Sequence, residues 1–378
     1  MHVRDDARSA CFHRPRADGA CPSRGGPRRA PRRRVLFGPI VGLTGLCLLL
    51  VPPSAAVTAH AAAGSSSIRE YPLPTPDAQP GGIVVGPDGA LWFYETGSNR
   101  IGRITTDGNV TEFPIPTADA SQLYQGFLGV GPDGALWFSE NRTVSLGRFT
   151  TDGQFSETPL DMTVRGHLPD RASTAVLGLV AGPDGALWFT SPLSNSIWRL
   201  TMDGQLDEYV VPTPDATPAG IVVAPDDSLW FAEPTANQLG RVTLDGTITE
   251  YPIPTPNSFT VRLSIGPDGA VWFAEIRGDK IGRMDADGQV TEYPVTGMMP
   301  VGITSGPDGA LWFCGFASNE VGRITLDGTV ERFAMPTPKN VLYHIVAGPD
   351  GALWFTEQDT NKIGRLELPP QQVPAPAH

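Results

Sequence analysis

A unit of about 42 residues returns seven times along this chain, and no other feature restricts the possible folds as severely. The copies are anchored by Trp92, Trp137, Trp188, Trp230, Trp272, Trp312 and Trp354, at successive spacings of 45, 51, 42, 42, 40 and 42 residues. Each copy runs in the same order. An apolar stretch such as 82–85 leads into Gly-Pro-Asp-Gly at 86–89, and Ala-Leu-Trp-Phe follows. Then come Ile-Gly-Arg-Ile-Thr, an Asp-Gly pair such as Asp107-Gly108, and Val-Thr-Glu-Phe-Pro. Strand formers alternating with turn residues predict four short antiparallel strands per copy, and no segment after residue 63 sustains a helical period. Prolines recur where each fourth strand ends, a position that suits an edge strand and the crossing to the next unit. The expected fold is all-β: a seven-bladed β-propeller of four-stranded antiparallel blades.

Counting strands adds a prediction about closure. The seventh copy stops at 363–367 with no Asp-Gly turn and no fourth strand, whereas residues 68–74 (Ile-Arg-Glu-Tyr-Pro-Leu-Pro) match 110–116. The N-terminal strand is therefore expected to complete the last blade and remove the open edges between first and last blades.

Residues 1–63 differ in composition from the rest. Ten arginines precede an uncharged apolar run at 35–51, and small residues follow, including Ala59-His60-Ala61. That order predicts a cleaved signal peptide over 1–63, with an uncleaved anchor as the rival. The propeller is expected over 64–369 and a disordered Pro/Ala-rich tail over 370–378. Without the leader's ten arginines and three aspartates, the 28 basic and 40 acidic residues become 18 and 37, a net charge of −19. Such a charge disfavours nucleic acid and anionic membrane surfaces as partners, and a small-molecule or cyclic-peptide ligand suits a secreted monomer better. Of four cysteines only Cys314 follows the leader, so no intramolecular disulfide is available there; its repeat position suggests a small packed side chain.

Residues found in every copy are expected to be scaffold. Arginine recurs in each third strand, from Arg103 to Arg365. Glutamate follows Trp-Phe in five copies, at Glu95, Glu140, Glu233, Glu275 and Glu357. An acidic ring binding a metal is one reading of the glutamates. The other is that each accepts backbone or arginine hydrogen bonds within its own blade.

Departures from the repeat are the candidates for function. The third copy carries an insertion at 160–176 holding Arg165, His167, Asp170 and Arg171, a rim loop or a solvated one. The second copy has Tyr124-Gln125, the fifth Arg262 and the seventh Tyr343-His344 just before its first strand, three equivalent points in their blades. Equivalent points in a ring converge on its axis. Tyr124, Gln125, Arg262 and Tyr343 are thus expected to line a binding pocket, with His344 as the candidate proton acceptor.

With these motifs laid out, residues 348–365 (GPDGALWFTEQDTNKIGR) and 102–117 (GRITTDGNVTEFPIPT) resemble the repeats of the virginiamycin B lyase family, and the likeness spans 67–367. The resemblance implies a seven-bladed propeller that linearises cyclic streptogramin B depsipeptides by elimination at the ester linkage, with Mg2+. A histidine base, a metal stabilising enolate-like charge and an acid assisting the leaving oxygen are the implied parts. In the family the base lies in a Glu-Pro-His pattern before the last blade's first strand, and a second histidine stands one blade earlier. By this likeness His344, which follows Leu342-Tyr343, lies close to the base position and Glu357 corresponds to the metal glutamate. The stretch one blade earlier reads Met299-Pro300-Val301-Gly302 and has no histidine. Three functions remain open on these residues: a carbon–oxygen lyase, a lactonase-like hydrolase on the same face, and a ligand-binding propeller without catalysis.

Overall fold

In a computed structural model of the chain, the described residues are 67–118, 127–140, 144–160, 162 and 176–368. The expected signal peptide, the C-terminal tail, Tyr124, Gln125 and most of the 160–176 insertion lie outside them. Among these residues every regular element is a strand, and the strands form seven four-stranded antiparallel sheets.

Blade 1 shows the pattern. Pro80–Val85 lies innermost, followed outward by Leu91–Glu95, Arg100–Ile104 and Val110–Pro114. The Gly-Pro-Asp-Gly turn joins the first two strands, and Gly89 sits at φ +73°, a conformation that costs glycine nothing. Asp88 organises the rest of the turn. One of its oxygens accepts from the Ala90 N–H (3.3 Å) and Trp92 Nε1 (2.9 Å), and the other accepts from Arg103 Nε (2.8 Å). Burial alone would raise the Asp88 pKa, but the bonds from Trp92 and Arg103 outweigh it and hold the carboxylate below its ordinary value. The same Asp–Trp–Arg arrangement recurs around Asp133, Asp184, Asp268, Asp308 and Asp350; in blade 4, Ser228 replaces the indole as donor to Asp226. The arginines thus serve the turn aspartates, not the glutamates after Trp-Phe.

Between blades, each tryptophan is buried and most face an aromatic of the fourth strand, as in Trp92–Phe113 (5.6 Å between centroids) and Trp272–Tyr293 (5.7 Å). Truncating a buried aromatic of this size costs about 3–5 kcal/mol. The fourth-strand glutamates then staple neighbouring blades: Glu112 accepts from the N–H and hydroxyl of Thr75, and Glu292 from those of Thr255. This contact explains why Pro-Thr-Pro recurs between blades.

Blade 7 consists of Leu342–Ala347, Leu353–Glu357, Lys362–Leu366 and, outermost, Ile68–Pro72. Ile68 lies opposite Leu366 and Pro72 opposite Lys362, so the N-terminal strand closes the ring as its sequence predicts. It reproduces every device of the other blades. Tyr71 stacks on Trp354 at 5.7 Å, and Glu70 accepts from Thr337 and from Lys362 Nζ (2.6 Å). Each innermost strand touches those of both neighbouring blades, which completes the circle. Cys314, in the second strand of blade 6, is fully buried, and burial pushes its thiol pKa up.

Candidate functional site

The innermost strands hold the axis, and their register decides which side chains reach it. In every blade the residue opposite the Phe of Trp-Phe is known: Ile83, Leu128, Leu179, Ile221, Leu263, Ile303 and Ile345. One residue earlier stand Gly82, Phe127, Gly178, Gly220, Arg262, Gly302 and His344. Four blades have glycine at this ring position and three carry a large side chain.

The glycines let adjacent inner strands approach. A Cβ on Gly302 would lie 2.8 Å from the Tyr343 carbonyl oxygen, and one on Gly220 would lie 2.6 Å from that of Val261. In blades 1, 5, 6 and 7 the inner strand also bulges, with two residues facing one on the partner strand. In blade 7 the two are Tyr343 and His344, and Thr356 Oγ1 accepts the His344 N–H at 3.1 Å. The bulge puts both residues on the same stretch of wall without the alternation of a regular strand.

The three large residues of the ring position meet one another. Arg262, from blade 5, places its guanidinium 4.4 Å from the ring of Phe127 in blade 2 and brings NH1 to 3.3 Å from His344 Nε2 in blade 7. The ring of Tyr343 lies 5.2 Å from the same guanidinium. Arg262 is 8% exposed, and its Nε and NH2 have no hydrogen-bond partner among the described residues. On the other side of the imidazole, His344 Nδ1 accepts the backbone N–H of Ile83 at 3.0 Å. Donors therefore face both ring nitrogens, although a neutral imidazole can accept at only one. Burial first and the Arg262 charge second push the His344 pKa well below its ordinary value, so the ring is neutral.

Arg262, Tyr343 and His344 lie in contact with one another; Tyr124 and Gln125 lie outside the described residues, and Phe127 holds the ring position of blade 2. Phe127 is the residue that sequence reasoning missed. Its signal was available, since each ring-position residue lies eleven places before the Phe of its Trp-Phe pair.

Glu357 belongs to a different setting. Its Oε2 accepts from Asn340 Nδ2 (2.6 Å) and Thr360 Oγ1 (2.9 Å), and its Oε1 has no partner among the described residues. Burial, reinforced by the charge of Glu70 in the same blade, pushes its pKa up to about 7. The repeat glutamates share that environment. Glu95 accepts from Ser98 within its own blade, whereas Glu233 has no donor at either oxygen among the described residues and is pushed up to about 8 by burial and the neighbouring Glu250 charge. Glu95 and Glu357 do accept hydrogen bonds, but from the side chains of Ser98, Asn340 and Thr360 and not from the expected backbone or arginine donors; the third-strand arginines are engaged by the turn aspartates.

Magnesium takes near-octahedral oxygen ligands, and a site for it gathers carboxylates. Among the described residues no three His, Cys, Asp or Glu side chains converge in that way, and the cation beside His344 is a guanidinium. The described donors do not make a magnesium site. Nor does the ring position supply the carboxylates that a metal-dependent lactonase would gather on the axis.

The chain matches the Virginiamycin B lyase family over residues 58–166 and 161–372. It is 44% identical over 52 residues to a virginiamycin B lyase from Bordetella pertussis, covering 14% of this chain and 17% of that protein. A virginiamycin B lyase from Nocardia farcinica is 43% identical over 53 residues, 14% of this chain and 19% of that protein. These alignments span under a fifth of each curated relative's length. Solved structures align more fully. A streptogramin B lyase structure is 36% identical, covers 80% of this chain and 98% of its own, and has a TM-score of 0.73. A catalytically inactive histidine-to-alanine variant of virginiamycin B lyase from Staphylococcus aureus, with quinupristin, is 35% identical over 80% of this chain and all of its own, at a TM-score of 0.72.

Proposed function

This chain belongs to the virginiamycin B lyase family, and from that premise we propose that it opens ester-bearing cyclic peptides of the streptogramin B class by carbon–oxygen elimination at the axial site. One observation carries the reading: a buried arginine with two free donors sits against a neutral imidazole at the ring position where four blades have glycine.

The chemistry follows from these residues. In an elimination, a base takes the proton from the carbon next to a carbonyl. That electron pair forms a carbon–carbon double bond, and the neighbouring carbon–oxygen bond breaks to release a carboxylate. Nε2 of His344 is the base, and the Arg262 donors stabilise negative charge developing on the carbonyl oxygen. The resting contact between Arg262 NH1 and Nε2 blocks that base. A carbonyl oxygen that draws the guanidinium away frees the lone pair, so substrate binding and base activation are one movement. Phe127 and Tyr343 supply apolar surface beside the reacting group. Export through a signal peptide and action as a monomer complete the proposal.

A second reading, capture of the same ligand without turnover, is favoured by the donors facing both nitrogens of His344, which leave the imidazole a poor base as it stands.

Incubation with quinupristin, followed by chromatography and mass spectrometry, separates the readings. Elimination gives a linear isomer of unchanged mass, and His344→Ala lowers its rate about 10²–10⁴-fold. A product heavier by one water overturns elimination. Saturable binding with only cyclic compound recovered establishes the second reading. A chelator is expected to leave the rate unchanged, because the cation at the imidazole is Arg262.

A further inference from the structure

The unpaired atoms of Arg262 are not scattered. NH1 contacts His344, whereas Nε and NH2, the two nitrogens along one edge of the guanidinium, are both unpartnered among the described residues. That edge presents two parallel N–H donors, the geometry that grips a planar carboxylate through both oxygens. We propose that the Nε/NH2 edge of Arg262 is a carboxylate-binding fork on the propeller axis.

Three features support a site built for a ligand. The plane of the fork is fixed, because Phe127 and Tyr343 lie against the guanidinium at 4.4 and 5.2 Å. The side chain is 8% exposed, and a buried donor without an acceptor costs about 1–3 kcal/mol, a loss that an incoming acceptor recovers. Finally, the chain carries 40 acidic residues, yet none within hydrogen-bond or ion-pair reach of Arg262 is found among the described residues, while the third-strand arginines each hold a turn aspartate or its neighbour. The ligand class is an organic carboxylate with an aromatic or apolar body that packs beside Phe127 and Tyr343. Both donor atoms are out of contact with solvent, so occupation requires side chains packed around them to move aside. Under the elimination proposed above, on which this link alone rests, the fork receives the carboxylate that the broken ester releases.

Calorimetric titration of the whole protein with benzoate, and with benzamide as its neutral counterpart, tests the fork. Saturable benzoate binding at one site, at least tenfold tighter than benzamide, is expected. Arg262→Gln, with its fold checked by circular dichroism, is expected to abolish it, and Arg262→Lys, which keeps the charge but not the fork, to retain under a tenth of the affinity. Absence of saturable benzoate binding, equal binding of benzamide, or unchanged affinity in Arg262→Gln overturns the proposal. Benzoate binding without quinupristin conversion leaves the fork standing and removes elimination; conversion without benzoate binding does the reverse.

Discussion

Blade 5 contains two arginines in opposite circumstances. Arg283, at the outer turn, donates Nε to Asp268 at 2.7 Å and lies 6.0 Å over Trp272. Arg262, on the axis, has a histidine where a carboxylate belongs and leaves Nε and NH2 unpaired among the described residues. The first arrangement recurs with small changes in every blade and holds the hairpin in place. The second occurs once and leaves its donors unmet. Among these arginines, the repeated arrangement pairs its donors and holds the turns, whereas the one on the axis keeps two donors open to a ligand.

The largest test of the repeated part removes a whole strand. Deleting residues 68–72 strips the pairing with Lys362–Leu366, the stacking of Tyr71 on Trp354 and the Glu70 staple. A fall in melting temperature of about 10 °C or more is expected in differential scanning calorimetry, since each kcal/mol shifts a domain of this size by about 2–4 °C or less. An unchanged melt would mean that the ring is held without its closing strand.

A smaller effect sharpens the comparison, because some repeated residues behave like the axis: both oxygens of Glu233 and of Glu275 are without a donor among the described residues. Glu233 is buried with no donor among the described residues and is pushed up to about 8. Its folded-state pKa exceeds the unfolded value near 4.5, so the folded protein keeps a proton that the unfolded chain releases between those limits. The stability from that proton is complete at low pH and is lost as pH rises through about 8. Glu233→Gln is expected to flatten the decline in stability between pH 5 and 8, by at most about 1.4 kcal/mol per unit. Denaturant melts at several pH values measure it, and parallel slopes in the two proteins would show that Glu233 is ionised in the fold.

How much of this was legible in the sequence differs between the two regions. Seven tryptophans at a near-constant period determine the blade count, and the missing fourth strand of the last copy, found again at 68–74, reveals the closure. The Asp–Trp–Arg triads were visible as residues but not as partners. The arginine's strand pairs directly with the strand that ends in the glutamate, and only the register, which sets Arg103 opposite Trp92, shows that it meets Asp88. On the axis, Arg262, Tyr343 and His344 stood out because they break the repeat. Phe127 did not, since an aromatic ahead of an apolar strand reads as core. The bulge hid the equivalence further by adding a residue that strand alternation does not count.

The central claim is that the turn arginine system stabilises the fold while the axial arginine costs stability in exchange for binding. Melting temperatures of Asp268→Ala and Arg262→Met, measured side by side, test it most directly. Asp268→Ala removes the acceptor of Trp272 Nε1 and Arg283 Nε and is expected to lower stability by about 1–3 kcal/mol. Arg262→Met removes a buried charge with two unmet donors and is expected to raise stability by about 1 kcal/mol or more. Shifts of opposite sign are the predicted result, and a fall in both variants would contradict the account.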